Sequence, residues 1–282
     1  MTHHTDETGQ ISPLNFVPEV RDSFEMPSNV QLHDVTLRDG EQTPGVVFDR
    51  EIRLRIAHAL NALGVHRIEA GFPAISEDDQ EGLAEIAGAG LTSEIWGFGR
   101  CLPQDVEANA ACGVRQMTLE ISISELKLAA YGLSRDKVLT RMLSALAKAK
   151  DLGMKVAFMP VDLTRADMRF AETVVTQAVE KGGADEITVV DTIGVASPEA
   201  IGYLVERIGQ WVAVPLAIHC HNDFGLGLAN SLAALKAGAG CVHVSLNCLG
   251  ERAGNVDLAE VVMALKLLYG IDMGIRTERL AE

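Results

Sequence analysis

Positive charge is scarce in this sequence of 282 residues: 24 Lys and Arg stand against 39 Asp and Glu, which gives a net charge of −15. A surface with this balance repels the phosphate backbone of nucleic acids, and no cluster of basic residues interleaved with aromatic ones offsets the repulsion. We therefore expect no nucleic-acid partner.

Long apolar runs and paired cysteines are also missing. No run approaches the ~18 apolar residues that a membrane span needs, and residues 1–29 lack the apolar core of a signal peptide. The five cysteines are odd in number and lack zinc-site spacing. We expect a cytoplasmic protein with free thiols and no membrane association.

The composition does support a large core, because 48% of the residues are hydrophobic and only 22% are charged. Residues 1–29 are polar and are predicted to form an N-terminal arm, and residues 30–282 fit one α/β domain of the (β/α)8 TIM-barrel class. Eight β-type runs carry this prediction: 31–37, 66–72, 95–99, 115–121, 155–161, 186–191, 216–221 and 242–247.

Helical spacing and glycine stops separate these runs. Amphipathic patterns predict helices at about 50–63, 137–152, 169–182, 225–238 and 256–269. Glycines stand where helix C-caps are expected, at Gly64, Gly90, Gly113, Gly153, Gly183, Gly209 and Gly240. Strand–helix alternation predicts a parallel sheet, and eight units favour a closed barrel over an open doubly wound sheet, because no glycine-rich phosphate turn follows the first strand.

Polar residues gather where the predicted strands end, which is where the active site of a TIM barrel is built. His219 and His221 are two apart on one strand and therefore share a face. Two neutral imidazoles beside acidic residues favour a metal site over a pair of core histidines bonded to backbone carbonyls.

Other ligands for such a metal can be named from the same loops. Asp39 can supply a carboxylate and Asn255 an amide oxygen, although both could instead be helix N-caps. Imidazoles with hard oxygens suit Mg²⁺, Mn²⁺ or Zn²⁺ without choosing among them. Arg38 could stabilise a developing oxyanion, or it could simply pair with Glu69.

Three motifs resemble the DRE-TIM metallolyase superfamily, and together they span about residues 31–270. They are the run from Asp34 to Gln42 (DVTLRDGEQ), the run from His219 to Asp223 (HCHND), and the run from Gly250 to Asn255 (GERAGN). The last motif and the run from Glu69 to Pro73 (EAGFP) look most like the Claisen-condensing branch, which contains the 2-isopropylmalate, homocitrate and citramalate synthases.

The resemblance implies roles for individual residues. Asp39, His219 and His221 would bind a divalent metal, with Asn255 as a nearer or water-mediated fourth ligand. Arg38 would polarise the 2-oxo group of a 2-oxo acid, which would condense with an acyl-CoA, and the partner would be a second copy in a homodimer. Further residues expected in catalysis or in substrate binding are Glu69, Lys127, Gln42, Ser122, Thr192 and Arg165.

This sequence departs from the synthases at three points. Val161 stands where the family has a catalytic glutamate, and Lys127 stands where the family has a histidine. The sequence also stops about a dozen residues after the last predicted helix, a length closer to the lyases. Three hypotheses follow: a Claisen-type synthase with a substitute base such as Lys127 or Glu69, a lyase that cleaves a C–C bond, and a non-catalytic protein that binds an oxo acid.

Overall fold

The computed structural model describes residues 11–282, and its centre is a closed barrel of eight parallel strands in sequence order. This confirms the predicted (β/α)8 fold and excludes the open sheet. The strands are β1 (Gln31–Asp34), β2 (Arg67–Glu69), β3 (Glu94–Arg100), β4 (Gln116–Ser122), β5 (Lys155–Val161), β6 (Glu186–Asp191), β7 (Leu216–Cys220) and β8 (Cys241–Val244).

Closure depends on β1, which pairs in parallel with β2 on one side and with β8 on the other. The β1–β8 register runs from Gln31 opposite Cys241 to Asp34 opposite Val244. Successive strand residues alternate between the barrel interior and the helix layer. The carboxyl ends of the eight strands therefore meet at one mouth.

Ten α-helices of the described residues surround the strands. They are α1 (Pro18–Arg21), α2 (Arg50–Leu63), α3 (Glu77–Gly88), α4 (Pro103–Ala111), α5 (Glu125–Tyr131), α6 (Arg135–Asp151), α7 (Met168–Glu180), α8 (Pro198–Trp211), α9 (Gly227–Lys236) and α10 (Leu258–Tyr269). The five helices predicted from amphipathic spacing are α2, α6, α7, α9 and α10, and all five are confirmed.

Local sequence explains where these helices start and stop. Asp49 caps α2 by accepting a hydrogen bond from Ile52 N, and Gly64 ends the helix in the left-handed conformation. Five of the seven predicted glycine stops have positive φ. The prediction for Gly209 was wrong, since it lies inside α8, and the left-handed residue after α9 is Gly238 rather than Gly240.

The predicted N-terminal arm is described only from residue 11 onward, and its residues 1–10 lie outside the described part. Pro13–Phe16 and Pro18–Arg21 form two short helical turns. Phe24 then packs edge-on against Tyr269 of α10 at 5.6 Å between ring centroids, and the ammonium of Lys236 lies 3.9 Å from the Phe24 ring. These contacts attach the end of the arm to the helix layer.

Most of the buried apolar side chains form one continuous core between the strands and the helices. Among residues 11–282, no helix combines the length and the apolar character required to cross a membrane.

Candidate metal centre and active site

Asp39, His219 and His221 converge at the mouth and are all buried. The two Nε2 atoms of the histidines lie 3.3 Å apart, and His219 Nε2 lies 3.8 Å from Asp39 Oδ2. The three residues come from the loop after β1 and from the end of β7, which barrel closure brings together. We call them the Asp–His–His cluster.

The protonation states of the cluster suit a cation. Burial, reinforced by His221, lowers the pKa of His219 to about 3, and burial also lowers the pKa of His221. Burial alone would raise the pKa of Asp39, but the charge of Arg38 lowers it below its ordinary value. Two neutral imidazoles and one carboxylate are the forms in which these groups bind a divalent metal.

Unpartnered atoms support the same fit. Neither Nδ1 of His219 nor Nδ1 of His221 has a hydrogen-bond partner among the described residues, so the rings are not held by backbone carbonyls. The two buried Nε2 atoms lie in close contact with each other beside the Asp39 carboxylate, and a cation would accept a lone pair from each. The donor set therefore fits a divalent cation.

Asn255 lies directly behind the cluster. Its Nδ2 donates to Asp39 Oδ1 and to the carbonyl of Leu249, both at 2.9 Å, whereas its Oδ1 is buried and has no partner within residues 11–282. The N-cap of α10 is Asp257, which accepts from Glu260 N, so the alternative of Asn255 as that cap was wrong. Asp39 likewise makes no side-chain cap bond.

The glycines of the GERAGN motif make room for Asn255. A Cβ at Gly250 would lie 2.4 Å from Asn255 Nδ2, and one at Gly254 would lie 2.0 Å from the carbonyl oxygen of Cys248. Gly254 also has φ of 91°, which is unfavourable for other residues. The two glycines of the motif therefore leave the space that allows the Asn255 amide to lie against Asp39.

Arg252 ties this loop to its neighbours. Its guanidinium donates to both carboxylate oxygens of Asp223 at 2.9 Å and to the carbonyl of Thr192 at 2.8 Å. Arg252 is itself left-handed, with φ of 57°. One side chain thus connects the loops that follow β6, β7 and β8.

Arg38 combines the two roles that the sequence left open. Its Nε donates to Glu69 Oε1 at 2.6 Å and its Nη1 to Asp39 Oδ2 at 2.7 Å, so it is ion-paired. Its Nη2 is buried without a partner among the described residues, and its guanidinium stacks 4.1 Å over the Phe98 ring. The fixed fork leaves one donor available to a ligand.

Glu69 lies behind Arg38 rather than in the cavity wall. Its second carboxylate oxygen accepts from Thr118 Oγ1 at 2.6 Å and lies 3.5 Å from His33 Nε2. Burial would raise the pKa of Glu69, but the charge of Arg38 lowers it to about 2. A fully bonded carboxylate of this kind orients Arg38.

A cavity of about 730 Å³ opens beside the Asp–His–His cluster. Eight of the residues predicted for the site line it: Arg38, Asp39, Gln42, Ser122, Lys127, Thr192, His219 and His221. Arg165 does not line it, because its guanidinium donates twice to Asp162 at 2.8 Å. Asn255 and Glu69 stand behind the residues that line it.

Sequence reasoning missed several residues of this cavity. Glu120 lines it from β4, and burial raises the pKa of this carboxyl. The signal was present, since Glu120 shares its strand face with Thr118 and Ser122. An apolar part of the cavity wall was also not predicted, because the sequence interpretation considered only polar residues. It consists of Phe72, Phe98, Met159, Val161 and Val190.

A closed (β/α)8 barrel whose mouth joins an Asp–His–His cluster to a buried arginine defines a class of metal-binding TIM-barrel proteins. Within that class, the chain belongs to the HMGL-like family, whose model matches residues 29–282. The resemblance of its motifs to the DRE-TIM superfamily is thereby confirmed.

The curated relatives that the chain resembles include two synthases. Homocitrate synthase AksA of Methanopyrus kandleri is 46% identical over 268 residues, which is 95% of this chain and 67% of that protein. A probable 2-isopropylmalate synthase of the same organism is 45% identical over 91% of this chain and 52% of its own length. The chain thus spans about half to two thirds of the curated relatives that it matches.

Among solved structures, hydroxymethylglutaryl-CoA lyase from Pseudomonas aeruginosa is similar to the barrel with a TM-score of 0.80. It is 25% identical, and the match covers 90% of each chain. The sequence likeness is therefore to synthases, whereas the fold is shared with a lyase.

Proposed function

We propose that the chain catalyses a metal-dependent Claisen-type condensation of an acyl-CoA with a 2-oxo acid. The observation that carries this proposal is the buried Nη2 of Arg38, which has no partner in the described part of the chain and lies in the same cavity as the Asp–His–His cluster. A donor fixed beside a cation site suits an oxygen on which negative charge develops. The names of the two synthase relatives support the same reaction class.

Asp39, His219 and His221 would hold the divalent cation, with Asn255 Oδ1 close by. When bound, the cation would supply Lewis acidity and a template for the oxo acid. Asn255 acts on the cluster through Asp39, because its Nδ2 donates to Asp39 Oδ1 and fixes the orientation of that carboxylate. Mg²⁺, Mn²⁺ and Zn²⁺ all suit this set of donors.

Arg38 would donate from Nη2 to the oxo oxygen of the acceptor. The bonds of its Nε and Nη1 to Glu69 and Asp39 prevent the guanidinium from rotating away. Negative charge that develops on the acceptor oxygen is then stabilised by a donor that needs no rearrangement. Glu69 is the positioning residue for this donor.

Proton transfer from the acyl methyl group requires a base, and we assign it to Lys127. This side chain is half-buried and lines the cavity from α5. Its Nζ would take a methyl proton, and the methyl carbon would bond to the carbonyl carbon of the acceptor while the C=O π electrons move to the oxygen. That oxygen would take a proton back from Nζ and become a hydroxyl. Water would then break the thioester C–S bond, which leaves a carboxylate on the product and releases the free thiol.

The remaining proposed roles concern binding. Gln42, Ser122 and Thr192 line the cavity and would contact the acceptor. Arg165 would act indirectly, because it holds Asp162 in its left-handed conformation while Asp162 N donates to Thr192 Oγ1 at 2.7 Å. An anionic acyl-CoA is favoured at the rim by the cations of α6 that line the cavity, Lys137 and Arg141.

We propose a homodimer in the cytoplasm as the form of the protein. All five cysteines are free, as expected in a reducing compartment. Large apolar side chains at the mouth, such as Val47 and Phe224, are 83% and 70% exposed, as at a surface that another chain covers. Analytical ultracentrifugation tests the dimer, and a monomer at all concentrations would contradict it.

The activity test uses the purified chain with each divalent metal, acetyl-CoA and a panel of 2-oxo acids, with thiol release as the signal. We expect thiol release that depends on both the metal and the oxo acid. Lys127→Ala should remove the release, whereas Lys181→Ala, which lies outside the cavity, should not. Cleavage of 3-hydroxyacyl substrates without any condensation would instead establish the lyase.

A further inference from the structure

One part of the cavity wall is apolar and separate from the main core. Four buried side chains, Phe98, Met159, Val161 and Val190, pack together with half-buried Phe72. Phe72 and Phe98 meet edge-on with 5.3 Å between ring centroids. We call these five residues the apolar wall, and all five line the 730 Å³ cavity.

The apolar wall adjoins the Asp–His–His cluster, because Val190 of β6 is in register with His219 of β7. It is built from β3, β5 and β6 together with the residue after Gly71, whereas the cluster comes from β7 and the loop after β1. Both sets line one space. A 2-oxo acid held at the cluster by its carboxylate and oxo oxygens would therefore have the apolar wall beside its side chain.

The two guanidinium groups that lie against the apolar wall, those of Arg38 and Arg100, already have carboxylate partners. Lys127 of α5, which we assign as the base, lines the same cavity. The guanidinium that stacks on Phe98 belongs to Arg38, which is already bonded to two carboxylates. Arg100 is bonded through Nε and Nη2 to Asp105 at 2.8 and 3.1 Å. The other cations of the cavity are on α5 and α6, with Lys137 and Arg141 exposed at the rim.

Glu120 adds a carboxyl group to this region. It lies on β4 between the strands of the apolar wall, in register with Met159 of β5 on one side and Arg100 of β3 on the other. Burial raises the pKa of Glu120, so it is already costly to ionise. A substrate carboxylate beside it would have to share one proton or repel it.

We infer that the acceptor is a 2-oxo acid with an uncharged alkyl side chain, and that Glu120 excludes dicarboxylic 2-oxo acids. This inference rests on the proposed function for the identity of the acceptor as a 2-oxo acid. The apolar wall supplies attraction, and Glu120 supplies discrimination against the competing class. Glu120 is thus a specificity-determining residue.

The test compares alkyl 2-oxo acids of increasing chain length with 2-oxoglutarate and oxaloacetate. Binding to the metal-loaded protein without acyl-CoA is measured by calorimetry, and condensation is measured by thiol release. We expect the affinity to rise about fourfold for each added methylene until the cavity is filled. The dicarboxylic acids should bind at least about tenfold more weakly than the best alkyl acid.

Two variants separate the two parts of the inference. Glu120→Gln should raise the ratio of dicarboxylic to alkyl kcat/KM about tenfold, because it removes the carboxyl but keeps the shape. Glu125→Gln removes a carboxylate that is paired with Arg135 outside the cavity and should leave this ratio unchanged. Val161→Thr, which is isosteric, should weaken alkyl binding several-fold.

Opposite results would overturn the inference. A parent protein that prefers dicarboxylic acids, or a Glu120→Gln variant with the parental ratio, contradicts it even if thiol is released. Tight binding of alkyl 2-oxo acids without thiol release from any acyl-CoA would refute the proposed function and leave the acceptor class standing. The two failures are therefore distinguishable.

Discussion

The two sides of the barrel mouth differ in how their side chains are bonded. On one side, Asp39, His219, His221 and Asn255 hold each other in a single polar arrangement. On the other side, the side chains of the apolar wall pack through van der Waals contacts beside Glu120, and its two phenylalanine rings also lie against guanidinium groups. The polar arrangement restricts the ligand to a cation and its oxygen ligands. The shape of the apolar wall, in contrast, changes with every substitution of its side chains. The reaction and the choice of acceptor are thus carried by different strands.

The largest effect is expected where the polar side is broken outright. His219→Ala combined with His221→Ala should abolish metal binding and lower turnover by at least about a thousandfold, because a Lewis acid contributes several kcal/mol. Elemental analysis and thiol release measure the two effects. The exposed His58 offers the control His58→Ala. Unchanged metal content in the double variant would show that the cluster is not the metal site.

A substitution at Arg38 affects both sides of the mouth, because Arg38 is bonded to Asp39 and stacked on Phe98. Arg38→Lys keeps the charge but loses the fork, so we expect turnover to fall about a hundredfold. Arg53 is equally buried and is also paired with carboxylates, three in its case, yet it lies outside the cavity. Arg53→Lys should therefore change the melting temperature but not turnover. Intact turnover in Arg38→Lys would reduce Arg38 to a structural ion pair.

Arg252 tests how far the polar side depends on its supporting loop. Arg252→Ala removes four hydrogen bonds, to Asp223, Thr192 and Glu251, and should weaken metal affinity about tenfold. Titration of the metal-free protein with the metal measures this change. Arg207→Ala, on the surface of α8, should leave the affinity as it is. A lower melting temperature with unchanged metal affinity would mean that the loop stabilises the fold but not the metal site.

The smallest effect is expected at the rim on the side of the apolar wall. Lys137→Ala combined with Arg141→Ala should raise KM for acyl-CoA a few-fold, more at low salt than at high salt, because exposed charges are screened. Lys148 lies on the same helix but outside the cavity, and Lys148→Ala should have no effect. A salt-independent change in kcat instead would place these cations closer to the chemistry than we propose.

Sequence reasoning performed unequally on the two sides. The barrel and the cluster were predictable because strand alternation and motif order fix which residues reach the mouth. Arg165 and Glu69 were not, because their positions depend on partners from other strands: Asp162 captures the first, and Arg38 stands in front of the second. The apolar wall was missed since Met159 and Val190 look like ordinary core residues until the register shows that a cavity lies beside them.

The hydrogen bond between Asn255 and Asp39 of the cluster also bears on the folding kinetics, because it joins residues 216 positions apart in the sequence. Asp39 follows the first strand, whereas Asn255 follows the last, and only the β1–β8 pairing brings them within hydrogen-bonding distance. Contacts of such long sequence separation form late and slowly during folding. A cation that needs Asp39 and His221 together binds the closed barrel and not its precursors. Metal capture would then report the final closure step, and the bound ion would keep the barrel closed by mass action.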